Sequence, residues 1–269
     1  GTKIYGSLSL GKKKGPWTFE MTDGVRLDIS YQNDIENGLS RISFTDDTLF
    51  EGTYQDGKKN GDWFIRFGDG SEFKGSFEND LRNGKGEYSF TDGSKFDGEY
   101  LNGQINGEGQ FLLADGSMFN GEFLDQQRNG KGTFIDSNNN KFEGNYFNDL
   151  REGPANFSFS NKNQFQGVYT KGIVEGIGKI TFSDGSTFEG EFQKNYSSGQ
   201  GKLTYTDRMV FEGRYLQGKR NGEAFIEFQD QTKITANYTD DIASGPSNFI
   251  SKDGQTYQLK IGKELLDGF

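Results

Sequence analysis

The chain has 269 residues, a net charge of −10, 40 glycines and 26 phenylalanines, and only 31% of it is hydrophobic. Globular cores draw on roughly 45–50% apolar residues counted with glycine, so few aliphatics remain for one here, yet 15% aromatic residues is too many for a disordered chain. Cysteine and histidine are both absent, which excludes disulfides, thiol nucleophiles, Cys/His zinc sites and imidazole bases, and the acidic balance argues against nucleic acid as a partner.

In chain order, a 23-residue unit repeats without insertion or deletion, and such periods are the mark of repeat architectures. Ile4 and Leu27 open two degenerate copies. Phe50, Phe73, Phe96, Phe119, Phe142, Phe165, Phe188 and Phe211 each open a Phe-x-Gly-x-aromatic string, and Ile234 and Tyr257 continue the register. Counting the opening residue as position 0, position 2 is Gly in nine of twelve copies. Position 4 is nearly always aromatic, and position 11 is Gly in every copy from Gly15 through Gly245 to Gly268. Positions 15 and 17 are apolar, as in Tyr88 and Phe90, and an Asp-Gly pair closes many units, as at Asp92-Gly93.

Side chains alternate along a strand, so positions 0, 2 and 4 share one face, as do 13, 15 and 17 on a second strand. Asp-Gly between the two runs is a hairpin signal. A two-residue loop would send the two aromatic sets to opposite faces. A three-residue loop at positions 18 to 20 unites them and puts Gly at the left-handed position of a type I turn with a bulge. Position 15 then faces position 0 of the next copy, and position 13 faces its position 2. Hairpins need neighbours to cover an apolar face. The expected fold is therefore all-β: an elongated single array of stacked antiparallel β-hairpins over residues 1–269, eleven to twelve repeats long. Degenerate capping repeats are expected near 1–49 and 226–269. With no amphipathic helix to cover the rings, the sheet is expected to curl around an aromatic and Gly-rich inner face.

The ring positions read first as core. Trp17 and Trp63 stand at position 13, usually a small residue, so they either fill a wider N-terminal end or anchor a partner. Tyr54, Tyr100, Tyr146, Tyr169 and Tyr215, all at position 4, are the further candidates for partner binding. Position 9, read as part of the loop opposite the Asp-Gly turn, carries Lys13, Lys59, Arg82, Arg128, Arg151 and Arg220. That basic stripe is the candidate for anionic lipid, although Asp56, Asp80, Asp125 and Asp149 in the same loops offset it. The carboxylates of Glu51, Glu99, Glu122, Glu143, Glu189 and Glu191 are periodic, as a solvated face is. A glycosidase needs one unrepeated pair instead. Gly130-Lys-Gly-Thr133 lacks the rest of a phosphate loop. No metal, cofactor or catalytic residue is expected.

The string Phe96-Asp-Gly-Glu-Tyr100, followed by Asn102-Gly103 and Asn106-Gly107-Glu-Gly109, closely resembles the membrane occupation and recognition nexus (MORN) repeat, as does Phe188-Glu-Gly-Glu-Phe192. The resemblance covers essentially the whole chain. It departs in the end copies and in Phe where the family often has Tyr. It implies a hairpin-repeat scaffold of the kind found in radial-spoke heads of cilia, junctophilins and protist cytoskeletal assemblies. The function expected is a non-catalytic protein–protein interaction scaffold, cytoplasmic and associated with a cytoskeleton or cilium. The partners are other proteins of a larger assembly, with self-association through the array ends. The alternative is an adaptor tethering partners to phosphoinositide or other anionic membrane, peripheral to it.

Overall fold

The computed structural model describes residues Gly1–Leu259, so Ile261 of the last copy and Gly268 lie outside the described residues. The chain forms two compact units, Gly1–Ser137 and Asn138–Phe269. The first contains strands β1 (Lys3–Ser9) to β12 (Gln127–Ile135), and the second β13 (Lys141–Phe147) to β23 (Thr256–Leu259). Seven-residue strands alternate with nine-residue strands until the last, and no helix lies among the described residues. Within each unit, every strand pairs antiparallel with its chain neighbours.

The register is the one the parity argument requires. Ile65 at position 15 faces Phe73, and Trp63 at position 13 faces Gly75. Lys179 faces Glu189 with an ion pair of 2.7 Å, Lys85 faces Glu99, and Glu87 faces Asp97. The Asp-Gly loops have three residues. At one of them the Phe90 N–H donates to the Ser94 carbonyl at 2.9 Å, and the Gly93 N–H donates back to the Phe90 carbonyl at 3.1 Å. Gly93 has φ of 90°, and Asp47 and Asn139 take the same left-handed position at 67° and 63°, as short polar residues tolerate. Asp92 at the turn accepts the Ser94 N–H at 2.8 Å, while Ser94 Oγ accepts the Ala114 N–H of the following turn at 3.1 Å. Successive turns are thereby tied together.

The opposite loops are tighter. Leu101 faces Gln104, leaving only Asn102 and Gly103 between strands, at φ of 52° and 87°. Both central residues of a type I′ turn need positive φ, which explains the Asn, Asp and Gly found there. Position 9 consequently lies inside the second strand rather than in the loop, with Arg82 opposite Phe77. A bulge follows at position 11, where Gly107 has φ of 104°. The Glu108 N–H just beyond it is met by the Glu99 carboxylate at 3.3 Å, and the Lys131 N–H is met likewise by Glu122. These two carboxylates therefore have a structural use beside the bulge.

The expected curl is corrected. The sheet of each unit is open, and each strand packs along its length only against the strand before and the strand after it. Shelter for the rings comes from the glycines instead. Phe96 lies flat across Gly98 and Gly109, so close that a Cβ on either would stand 2.6–2.7 Å from the ring. The ring is 0% exposed without any second layer above it. Edge-to-face contacts with Tyr100 at 5.6 Å and Phe123 at 5.5 Å complete its surroundings, at separations favoured by ring quadrupoles. Phe73 and Phe188 repeat the arrangement over Gly75 and Gly86 and over Gly190 and Gly201, while Phe142 and Phe211 keep the edge-to-face contacts with Ala155 and Ala224 in place of the second glycine.

Candidate interaction surface

Each unit offers two faces. The aromatic face combines the buried position 0 and 4 rings with a more accessible row at position 17, where Phe90 is 39% and Phe159 42% exposed. Phe90 packs against Tyr88 at 4.6 Å and Phe111 at 5.7 Å, so its exposed edge belongs to a continuous apolar strip. A second set of exposed apolar residues borders the type I′ turns: Leu81, Leu101 and Leu124 in the first unit, and Phe147, Leu150 and Leu216 in the second. On the polar face of the second unit a cleft of about 890 Å³ is lined by Glu212, Arg214, Glu223, Phe225, Asn237 and Asn248.

The candidate tyrosines are spread along the aromatic face. Tyr100, Tyr146 and Tyr169 are buried, and Tyr54 and Tyr215 are half-buried. Burial pushes the Tyr100 phenol up to about 12 against the opposing influence of the Arg82 guanidinium. Burial likewise raises Tyr54, Tyr169 and Tyr215. Trp63 is 1% exposed, its indole lying on Gly52 and its Nε1 donating to the Thr53 carbonyl at 3.2 Å. Trp17 lies on Gly6 in the same way and is half-buried, but its Nε1 meets no acceptor among the described residues. Both tryptophans thus take the seat that the position 0 ring holds elsewhere.

The six position 9 cations all project over rings. Arg82 lies 4.3 Å from the Phe73 ring centre, 5.4 Å from Tyr88 and 5.7 Å from Tyr100. Arg151 repeats this over Phe142, Phe157 and Tyr169 at 4.4, 5.6 and 5.8 Å. Arg220 covers Tyr238 at 4.6 Å and pairs with Asp241 at 3.1 Å. Lys13, Lys59 and Arg128 reach Tyr31, Trp63 and Phe119 at 4.0, 5.7 and 5.5 Å. Cation–π attraction and the apolar stems of these side chains both favour this docking. Where position 9 is Val174 instead, an apolar hollow of about 320 Å³ opens among Phe157, Phe159, Phe165, Tyr169, Ile180 and Phe192. The basic column breaks also at Glu36, Ile105, Ser197 and Ala243, so the break at Val174 did not mark this hollow in the sequence.

No group of three acidic, His or Cys side chains that could hold a metal occurs among the described residues, and no helix there is long and apolar enough to cross a membrane. Open sheets of hairpins with a glycine-floored aromatic face and a polar reverse define a hairpin-repeat protein. The chain belongs to the MORN repeat family, which matches residues 50–61, 73–95, 96–118, 119–141, 142–164, 165–187, 188–210 and 211–233. No match was found among curated protein sequences. Among solved structures, the chain is similar to the TCP10 domain of Danio rerio CPAP in complex with a peptide of Danio rerio STIL. The identity is 10% and the TM-score 0.45, over 91% of this chain and 98% of that one. It is also similar to the SAS-4 (dCPAP) TCP domain of Drosophila melanogaster in complex with a proline-rich motif of Ana2 (dSTIL), with 15% identity and a TM-score of 0.36, over 66% and 90%. The TCP10c domain of Drosophila melanogaster Sas-4 gives 16% and 0.34, over 66% and 99%.

Proposed function

We propose that the chain is a non-catalytic protein–protein interaction scaffold, a structural part of a cytoskeletal or ciliary assembly in the cytoplasm. The observation that carries the reading is the single-layered aromatic face, on which the position 17 rings Phe44, Phe90 and Phe159 are exposed and Phe67, Phe182, Tyr205 and Phe228 half-buried. Contiguous exposed apolar strips on soluble proteins mark interaction surfaces. The ciliary and cytoskeletal setting follows the company that repeats of this family keep. Cross-linking mass spectrometry in the native cell tests it: protein neighbours should cross-link along the repeats, and a repeat surface free of protein neighbours would overturn the reading.

A membrane-tethering adaptor is the second reading, motivated by the six position 9 cations. Their positions over rings, and the pairing of Arg220 with Asp241, weigh against it. The expected result is no pelleting with phosphoinositide-containing liposomes at physiological salt. Pelleting that is lost in Arg82→Gln/Arg151→Gln would replace the scaffold reading with the membrane one. Self-association is proposed through β1, which is exposed along its whole length and, among the described residues, pairs only with β2 (Lys12–Glu20), because an unpaired strand edge is a template for another chain. Sedimentation that stays monomeric at every concentration would remove it.

A further inference from the structure

The hollow at Val174 has counterparts elsewhere in the chain: six receive a position 9 cation, while position 9 is Glu36, Ile105, Ser197 or Ala243 in four others. In the copy opened by Phe73, the seat formed by positions 0 and 15 and by position 4 of the next copy holds the Arg82 guanidinium. In the copy opened by Phe142, the same three positions hold Arg151. In the copy opened by Phe165, they are Phe165, Ile180 and Phe192, and position 9 supplies the short Val174 in place of a cation. The rings keep their mutual geometry, with Phe165 and Phe192 edge-to-face at 5.3 Å, as Phe142 and Tyr169 are at 5.4 Å. The seat is built, and about 320 Å³ of it is empty, a volume within the range of ligand pockets.

We propose that this seat takes an arginine or lysine side chain from a partner protein, so that a partner cation completes the pattern that Arg82 and Arg151 complete from within. The inference rests on the scaffold reading and names the chemistry of its partner. The proposal follows from the chain itself, since the equivalent rings receive guanidinium groups at 4.3–4.4 Å in two other copies. Neighbouring seats accept cations together: Lys59 and Arg82 occupy consecutive copies, so Arg151 beside the open seat is no bar to a second cation. The net charge of −10 favours approach of a basic partner. Asn195, at the rim, already accepts the Val174 N–H at its Oδ1 at 2.8 Å, which takes up the acceptor nearest the hollow. That leaves the ring faces as the recognising groups.

The test titrates acetyl-Gly-Arg-Gly-amide, its citrulline counterpart and its leucine counterpart into the full chain, with the methyl resonances of Val174 and Ile180 as reporters. The arginine peptide should shift both methyls saturably. The citrulline peptide, which keeps the shape and loses the charge, should bind at least about fivefold more weakly, as cation–π recognition requires. Val174→Arg, which fills the seat from within, should abolish the Ile180 response while the rest of the methyl spectrum is retained. Methyls that stay still up to about 100 mM peptide, where one strong cation–π contact would already be more than half saturated, would overturn the proposal. So would citrulline or leucine peptides acting as strongly as arginine, which would assign the seat to a neutral or apolar side chain. Neither result bears on the scaffold reading, which is decided by the cross-links of the whole chain.

Discussion

Within the first unit, the hairpins opened by Phe96 and by Phe50 cover the same glycine from opposite strands. In the Phe96 copy, the position 0 ring crosses Gly98 and Gly109 and is fully buried. In the Phe50 copy, position 13 is Trp63, whose indole covers Gly52, and Phe50 is left half-buried beside Phe44 at 6.0 Å. What persists between copies is one aromatic ring per glycine floor, and either strand of the hairpin can supply it. The Leu27 copy, which precedes the Phe50 copy, fills the floor instead with Ile29, opposite the small Ser40, so the bulk on that row is kept by exchange between strands. Close packing makes such compensation necessary, since a void or an overlap of even one methylene is felt.

The largest test of that equivalence compares two ring deletions. Phe96→Ala should cost about 3–5 kcal/mol, as expected for a buried Phe whose site cannot collapse. Trp63→Ala should cost less, about 1–3 kcal/mol, because Phe50 can swing onto Gly52 and refill the seat. Both are read from urea unfolding of the full chain. A Trp63→Ala loss equal to that of Phe96→Ala would break the idea that the two strands are interchangeable donors.

The floor itself provides the next contrast. Gly98→Ala should cost about 1–3 kcal/mol by overpacking, since its Cβ would stand 2.6 Å from the Phe96 ring and 2.7 Å from the Gly109 Cα. Gly109→Ala should cost under about 1 kcal/mol, because Ala155 and Ala224 already stand at its position in other copies while Phe142 and Phe211 stay buried. Reversed costs in chemical unfolding would show that the two glycines have unequal roles opposite to those assigned.

Smaller effects separate the two tryptophans. Both Trp63→Phe and Trp17→Phe give up indole atoms packed on a glycine, but Trp63→Phe should lose about 1 kcal/mol more, because only it also gives up a hydrogen bond, to the Thr53 carbonyl. Thermal unfolding of the two variants measures the difference.

An effect confined to alkaline pH, and absent at neutral pH, distinguishes tyrosine from phenylalanine at position 4. The folded pKa of Tyr100 lies near about 12, above its ordinary 10.0. Its contribution is therefore complete below pH 10 and is lost as pH rises from 10 to about 12. Tyr100→Phe should unfold at higher pH than the wild type in alkaline titration. An unchanged alkaline midpoint would mean that the phenol is solvated in the folded chain.

Much of this molecule was legible in its sequence because its determinants are local. The 23-residue period, the parity of positions 0, 2 and 4 against 13, 15 and 17, and a positive φ at the Asp-Gly turn together admit one register, in which Ile65 faces Phe73 and Trp63 faces Gly75. Left-handed backbone positions favour Gly, Asn and Asp, so most turns announce themselves, although Leu10, Lys162, Lys171, Lys194 and Arg208 take a positive φ too. The invariant Gly of position 11 was visible too, but its reason, a bulge at positive φ with a Glu carboxylate beside it, needed the paired strands.

Tertiary structure alone decided where side chains go after they leave the strand. Sequence spacing places Arg82 at an edge, yet its long side chain folds back over three rings contributed by three strands. Spacing likewise suggests a sheet that must curl, whereas rings pressed onto Gly98 and Gly109 are sheltered without it. Backbone register follows from nearest neighbours along the chain. Ring burial and cation placement depend on surfaces assembled from successive hairpins, which no single repeat contains.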